Sequence, residues 1–245
     1  MNWTKGKFAI AKALRLDLTH PQVLYGQTLQ RNVHSGDRWL DVGCGYQILP
    51  AWAMPEEEQA RLVSAAGSLT GVDVDKRIKD HPLLRYRVEA LGGSLPFRDQ
   101  SFDLVTANMV VEHVDDPKAF LADIYRVLRP QGHFLFHTPN YYFWLTFVSY
   151  FTPETLKKTV IWKLEHREPE DVFPTRYRMN TPWEISRLAK EVGFRVENLN
   201  MVGSNRIFDR LGPIGWIECF VHKGWGALLG GRLRSNIIGL LQRPS

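Results

Sequence analysis

The chain has 245 residues, 44% of them apolar and 23% charged, with 31 Lys and Arg against 26 Asp and Glu for a formal net charge of +5. That length and balance suit a globular chain able to bury a core without staples, and they exclude a disordered or collagenous one. Two cysteines, Cys44 and Cys219, lie far apart with no CxxC or Cys/His cluster, which excludes a disulfide framework and a zinc site and fits a reducing, cytoplasmic location.

The N-terminal MNWTKGKFAIAKALRLDL is basic and partly apolar but has no continuous apolar run and no small-residue cleavage site, so it reads as a helix of the mature protein. Apolar spacing predicts helices over 5–16 and 22–33, broken at His20-Pro21. From residue 38 strands and helices alternate, which predicts an α/β fold with a doubly wound, mostly parallel sheet. Strands fall near 38–42, 69–74, 86–90, 102–107 and 132–138. Pro50 and Pro55 interrupt the helix after the first strand, so regular helix begins at Glu56 and runs to Ala66. Asp115-Asp116-Pro117 opens a helix that runs to Leu128 and stops at Arg129-Pro130-Gln131-Gly132. Thr181-Pro182-Trp183-Glu184 opens another, ended by Gly193, with a sixth strand over 195–203.

Residues 1–150 carry 16 basic and 16 acidic side chains, so the whole positive excess sits in the last third, among Trp162, Tyr177, Trp183, Trp216 and Trp225. Such a stretch suits a solvated basic face, an acidic substrate or an anionic lipid surface. No helix-turn-helix, zinc-finger or RNP signature points to nucleic acid. The aromatic run YYFWLTFVSYF at 141–151 is too short to span a bilayer, and no apolar run of about 18 residues occurs.

The organising stretch is RWLDVGCG at 38–45, an apolar strand that breaks into Gly43-Cys44-Gly45, where glycines let backbone approach a ligand. With GVDVD at 71–75, LPFRDQSFDLVTANMVVEHVDDP at 95–117 and RVLRPQGHFLFHTPN at 126–140, the chain resembles the class I S-adenosylmethionine (SAM) dependent methyltransferases, and within them the type 11 group that includes quinone-biosynthesis methyltransferases. That resemblance implies a Rossmann-like sheet of about seven strands. Its last strand, SNIIGLLQRP at 235–244, would run antiparallel and insert between the fifth and sixth. It also implies a single domain over 1–245, with a helical cap at 1–37, a SAM-binding core at 38–140 and substrate-side insertions at 141–180 and 207–231.

The cofactor implied is SAM, and no metal is expected. Ligands in open α/β sheets sit at the carboxyl ends of the strands. By the resemblance, Gly43, Cys44 and Gly45 pass under the methionine and ribose of SAM, and Asp41 supports the turn or a bridging water near the ammonium. Gln47 stands where relatives often carry glycine, and contacts cofactor or substrate. Asp73 lies 28 residues after Gly45 and accepts the ribose diol, while Val74 flanks the adenine or ribose and Asp75 does the same or acts as a cap. Leu91 or Gly92 offers main chain to the adenine, and Asn108 meets the ammonium through its side chain or carbonyl.

His113, in the pair Glu112-His113, is a catalytic base or a scaffold histidine, and His137 is a catalytic base or an orienting group. Tyr25 faces the substrate mouth or packs in the core. Tyr141, Tyr142, Asp171, Arg176, Tyr177 and Arg178 are substrate-side candidates, the arginines suiting a phosphate or carboxylate. The expected activity is methyl transfer to a hydroxyl, or else a carbon or nitrogen, of a small-molecule or lipid-linked acceptor. A catalytically silent SAM-binding protein is the alternative reading. A nicotinamide-dependent oxidoreductase fits less well, because Tyr46-Gln47-Ile48 lacks the third glycine of GxGxxG. Peripheral contact with a membrane surface through 141–151 and 207–231 is expected alongside core or dimer packing of the same segments.

Overall fold

The structure is a computed structural model and describes residues 13, 19–90, 94–143, 174–203 and 234–245. Its centre is one seven-stranded sheet built from β1 (Arg38–Val42), β2 (Ser68–Asp73), β3 (Tyr86–Glu89), β4 (Phe102–Asn108), β5 (Leu128–Pro139), β6 (Arg195–Val202) and β7 (Asn236–Gln242). The order across the sheet is β3-β2-β1-β4-β5-β7-β6. The first five strands pair in parallel, and β7 runs antiparallel to both β5 and β6. The chain therefore reverses its winding between β1 and β4, and this is where ligands enter such sheets.

The helices cover both faces. Helix α1 (Pro21–Asn32) is opened by His20, whose Nδ1 accepts from the Gln22 amide at 3.1 Å, with proline in the first turn. Helix α2 (Glu56–Ala65) begins after Pro55, and the proline-broken stretch before it is tied down by Gln59, whose side-chain Nε2 donates to the carbonyls of Leu49 (2.9 Å) and Met54 (2.8 Å). Helix α3 (Pro117–Val127) is capped by the Asp116 carboxylate, which accepts from the amides of Lys118 and Ala119. Helix α4 (Pro182–Val192) starts at Thr181, hydrogen-bonded to Glu184, and ends at Gly193 with φ of 108°.

On one face, Leu40, Val42, Val105, Phe134 and Phe136 pack against Leu121, Ile124 and Val127 of α3 and Ile185, Leu188 and Ala189 of α4. On the other, Trp39, Leu69, Leu104 and Leu135 pack against Tyr25 and Leu29 of α1 and against Ile48, Leu49 and Met54.

Two expectations need correction. The fifth strand begins at Leu128, not near 132: Leu128 already pairs with Phe102, and Arg129–Gly132 is a bulge inside the strand, with Gln131 at φ 67°. The sixth strand closes at Val202. The helix expected at 5–16, most of the run at 141–151, and all of the stretch at 207–231 lie outside the described residues.

Candidate active site

The carboxyl ends of β1, β2, β4 and β5 converge on one edge. β1 delivers Asp41 and then the turn Gly43-Cys44-Gly45. Gly43 holds φ of +66°, and a Cβ there would lie 2.4 Å from Val110 Cγ2. Gly45 holds φ of +54°, but a Cβ there would meet nothing within 4 Å. The first glycine is required by the protein's own packing, whereas the second faces open space that a ligand can fill. Gly71 on β2 is glycine for a third reason, since a Cβ would press on Leu84 and on Cys44 Sγ at 2.4 and 2.6 Å.

Asp73, at the end of β2, is locked to this turn. Its Oδ2 accepts from the Gly45 amide at 2.6 Å and its Oδ1 from the Asp75 amide at 2.8 Å. Each carboxylate oxygen accepts more than one hydrogen bond, so both keep capacity for a diol. Asp75 uses its own carboxylate to cap the short 3₁₀ turn Lys76–Asp80, accepting from the Arg77 amide at 2.9 Å. Val74 is exposed, beside this rim. Tyr46 is also exposed, with the Arg77 guanidinium 5.6 Å from its ring centre, and Gln47 is half-buried after it.

Asp41 is 5% exposed. Its Oδ1 accepts from Thr106 Oγ1 at 2.6 Å, and that hydroxyl in turn accepts from Trp39 Nε1 at 2.7 Å. Burial, reinforced by the Asp73 carboxylate, raises the Asp41 carboxyl to about 7 against the Thr106 bond that lowers it. Cys44 is buried too, and burial with the two nearby carboxylates pushes its thiol far above its ordinary value, so it packs rather than reacts.

Across β4 and β5 a second polar chain runs under α1. Gln22 Oε1 accepts from Asn108 Nδ2 at 3.0 Å, and Asn108 Oδ1 lies 2.9 Å from His137 Nδ1, which fixes the imidazole as an Nδ1 donor. His137 is fully buried, its ring stacks on Tyr25 at 5.6 Å, and its Nε2 has no hydrogen-bond partner among the described residues. Burial, with His20 nearby, pulls its pKa down to about 3. Tyr25 therefore packs in the core, and its phenol is raised well above 10 by burial.

Glu112 and His113 have scaffold work. Glu112 is buried, its Oε2 accepts from Thr138 Oγ1 at 3.0 Å, and its carbonyl receives the amides of Arg176 and Tyr177. His113 Nδ1 sits 3.0 Å from the Pro174 carbonyl, and burial lowers its pKa. Asn180 closes this knot by donating to Thr138 Oγ1 at 2.7 Å. The 174–180 segment is thus pinned beside the mouth. Tyr141 and Tyr177 rings meet at 6.0 Å, Tyr142 is exposed, Arg176 pairs with Asp115 at 2.8 Å, and Arg178 donates to the Asp115 carbonyl. Leu91, Gly92 and Asp171 lie outside the described residues.

The structure gathers Asp41, Gly43, Cys44, Gly45 and Asp73 at one point, and Asn108 with His137 at another on the same edge. Sequence reasoning missed Thr106 and Gln22. The only signal for Thr106 was a lone hydroxyl inside the apolar strand DLVTAN, and nothing local marked Gln22.

A glycine facing open space, a carboxylate aligned with it and a second carboxylate without a counter-ion among the described residues together suit a ligand that carries a diol and positive charge, as SAM does. Residues 40–136 match the family model described as a methyltransferase domain. The chain is 34% identical over 119 residues to the mitochondrial ubiquinone biosynthesis O-methyltransferase of Schizosaccharomyces pombe, covering 44% of this chain and 40% of that protein. It is 34% identical over 110 residues to the demethylmenaquinone methyltransferase of Lactobacillus johnsonii, covering 41% and 43%. The matches span roughly two-fifths of the length of these curated relatives. Among solved structures, a SAM dependent methyltransferase from Mesorhizobium loti superposes with a TM-score of 0.54 at 17% identity over 89% of this chain and 95% of that one. One from Aquifex aeolicus gives 0.51 at 15% identity over 97% and 98%.

Proposed function

We propose that this chain, whose residues 40–136 match the methyltransferase-domain model, is a class I SAM-dependent methyltransferase that takes SAM as cofactor and transfers a methyl group to a hydroxyl of a small-molecule or lipid-linked acceptor. The observation that carries this reading is the open cradle at Gly45 with the Asp73 carboxylate tied 2.6 Å from its amide. When bound, SAM supplies a methyl group made electrophilic by the sulfonium. In this reading Asp73 holds the ribose diol, Asp41 lies beside the cationic end, and Asn108 meets the ammonium, its amide turned by Gln22 and His137.

His137 works as a neutral orienting group. With a pKa near 3 it is too weak a base to remove a hydroxyl proton at neutral pH, so the rate enhancement comes from alignment of acceptor and methyl group and from exclusion of water. Tyr141, Tyr142, Arg176 and Tyr177 form the acceptor side of the mouth. The hydroxyl acceptor is supported by the name of the Schizosaccharomyces pombe relative, a ubiquinone biosynthesis O-methyltransferase. Placement in the cytoplasm with contact to a membrane surface belongs to the same proposal. Among the described residues no helix is long and apolar enough to cross a membrane.

The test is transfer of radiolabelled methyl from SAM into a membrane-lipid extract beside a soluble-metabolite extract, with the product subjected to alkali. An alkali-stable methyl ether formed by the wild type and lost in Asp73→Ala supports the reading. Label confined to carbon or nitrogen, or none at all from protein that binds SAM, overturns the hydroxyl assignment or the activity respectively.

A further inference from the structure

The Asp41 carboxylate is unusual in what surrounds it. It sits at the end of β1 with 5% exposure, one residue from the glycine turn. One oxygen accepts from Thr106 Oγ1, and that hydroxyl is already committed, since it accepts from Trp39 Nε1. The other oxygen receives no hydrogen bond from the described residues, and none of them forms an ion pair with it. The groups that face it are Tyr25 from α1, Trp39 from its own strand, Cys44 from the turn, Asp73 from β2 and Thr106 from β4. Behind Tyr25 lies His137 from β5, which is neutral. The guanidinium of Arg87 on β3 acts on Cys44 and donates to the His81 carbonyl at 2.6 Å. Among the described residues, every titratable group against Asp41 is therefore neutral or negative.

A buried carboxylate in such company disfavours its charged form. The described residues leave it a single hydroxyl donor, whereas a carboxylate meant to stay ionised commonly has two or three donors or a cation. Among the described residues none brings a cation to it, and a cationic ligand would supply one.

We propose that Asp41 holds a proton while the site is empty and releases it when SAM binds, so that the carboxylate becomes the counter-charge of the cofactor. The inference rests on the proposed cofactor reading. In balance, the protonated Asp41 and SAM give the carboxylate paired with SAM and one proton passed to solvent, with no redox change. Asp41 is thereby a specificity residue that favours cationic occupants, because a neutral occupant gives no counter-charge and leaves the proton in place. The neighbourhood agrees, since burial and Asp73 together raise this carboxyl into the neutral range.

The experiment is calorimetric titration of SAM into the full chain at pH 7 in two buffers of different ionisation enthalpy, for the wild type and for Asp41→Asn. The expected result is about half a proton more released by the wild type, because a carboxyl that titrates near 7 is half occupied there. Wild-type affinity should weaken towards tenfold per pH unit from pH 7 to pH 5, and the variant should change less. The amino group of SAM titrates in both and cancels in the difference.

Carbon-13 NMR of the wild type gives a readout that needs no variant: one carboxyl titrating near 7 in the empty protein and far lower with SAM bound. Saturable binding with equal proton release in both proteins, or no carboxyl titrating near neutrality, overturns the inference while leaving the cofactor reading intact. No saturable heat from folded wild type overturns both.

Discussion

On the sheet face turned to α3 and α4, β1, β4 and β5 present Leu40, Val42, Val105, Phe134 and Phe136, all buried and all apolar. On the face turned to α1, the same three strands present Trp39, Asp41, Thr106 and His137, also buried, with Asn108 at the edge. Successive residues of a strand point to opposite faces, so the two sets interleave residue by residue. The first face follows the rule for parallel sheets covered on both sides. The second breaks it, burying a carboxyl and an imidazole that are each most stable uncharged. Such groups lower stability and cluster at functional sites in proteins generally, and on the proposed reading this is how the two faces differ in purpose.

The sharpest way to break the comparison is to damage the apolar face. Phe136 stacks on Phe134, and Gly239 of β7 leaves no room for a Cβ against its ring. Phe136→Ala should cost about 3–5 kcal/mol in urea unfolding. SAM affinity measured well below the unfolding midpoint should stay near wild type.

On the polar face the expected effect has the opposite sign. Asp41 in the folded chain sits near 7 against an ordinary 3.8, so between those values the native state binds more protons than the unfolded one, and stability falls as pH rises. His137, lowered to about 3, acts the other way: stability falls as pH drops from 6.5. Asp41→Asn removes only the first effect. Its thermal stability should gain on wild type by about 1.4 kcal/mol for each pH unit climbed between 5 and 7.

Gly45→Ala sharpens the contrast further. The positive φ costs about 1 kcal/mol, and no neighbour clashes, so the protein folds. The added methyl enters the cradle, and SAM affinity should drop about tenfold or more. The smallest effect belongs to Gln22→Ala, which removes the 3.0 Å bond to Asn108 and should cost about 0.5–1.5 kcal/mol by thermal unfolding.

Much of the fold was legible in the sequence because its signals are local. Alternation of strand and helix, Asp116-Pro117 and Thr181-Pro182 predicted the elements, while the place of β7 between β5 and β6 came from the family resemblance and not from any local signal. The start of β5 was not legible, since Arg129-Pro130-Gln131-Gly132 reads as a stop and becomes a bulge only because Leu128 already pairs with Phe102. For the site, Gly45 and Asp73 were named through the family resemblance, and the structure ties them together by a 2.6 Å hydrogen bond. The tasks of His113 and His137 were not legible, because nothing local says that Pro174, 61 residues on, will meet one or that Tyr25 will cover the other. Gln22 meets Asn108 across 86 residues, a distance at which periodicity carries no information.

The central claim is that the edge framed by Gly45 and Asp73 binds SAM. Calorimetric titration of SAM into the wild type and Asp73→Ala, each checked for its fold by circular dichroism, tests it most directly. The account predicts one saturable site in the wild type and binding at least tenfold weaker in the variant, since two charge-assisted hydrogen bonds are lost. Saturable binding of equal strength in both proteins, or no saturable heat from folded wild type, would contradict it.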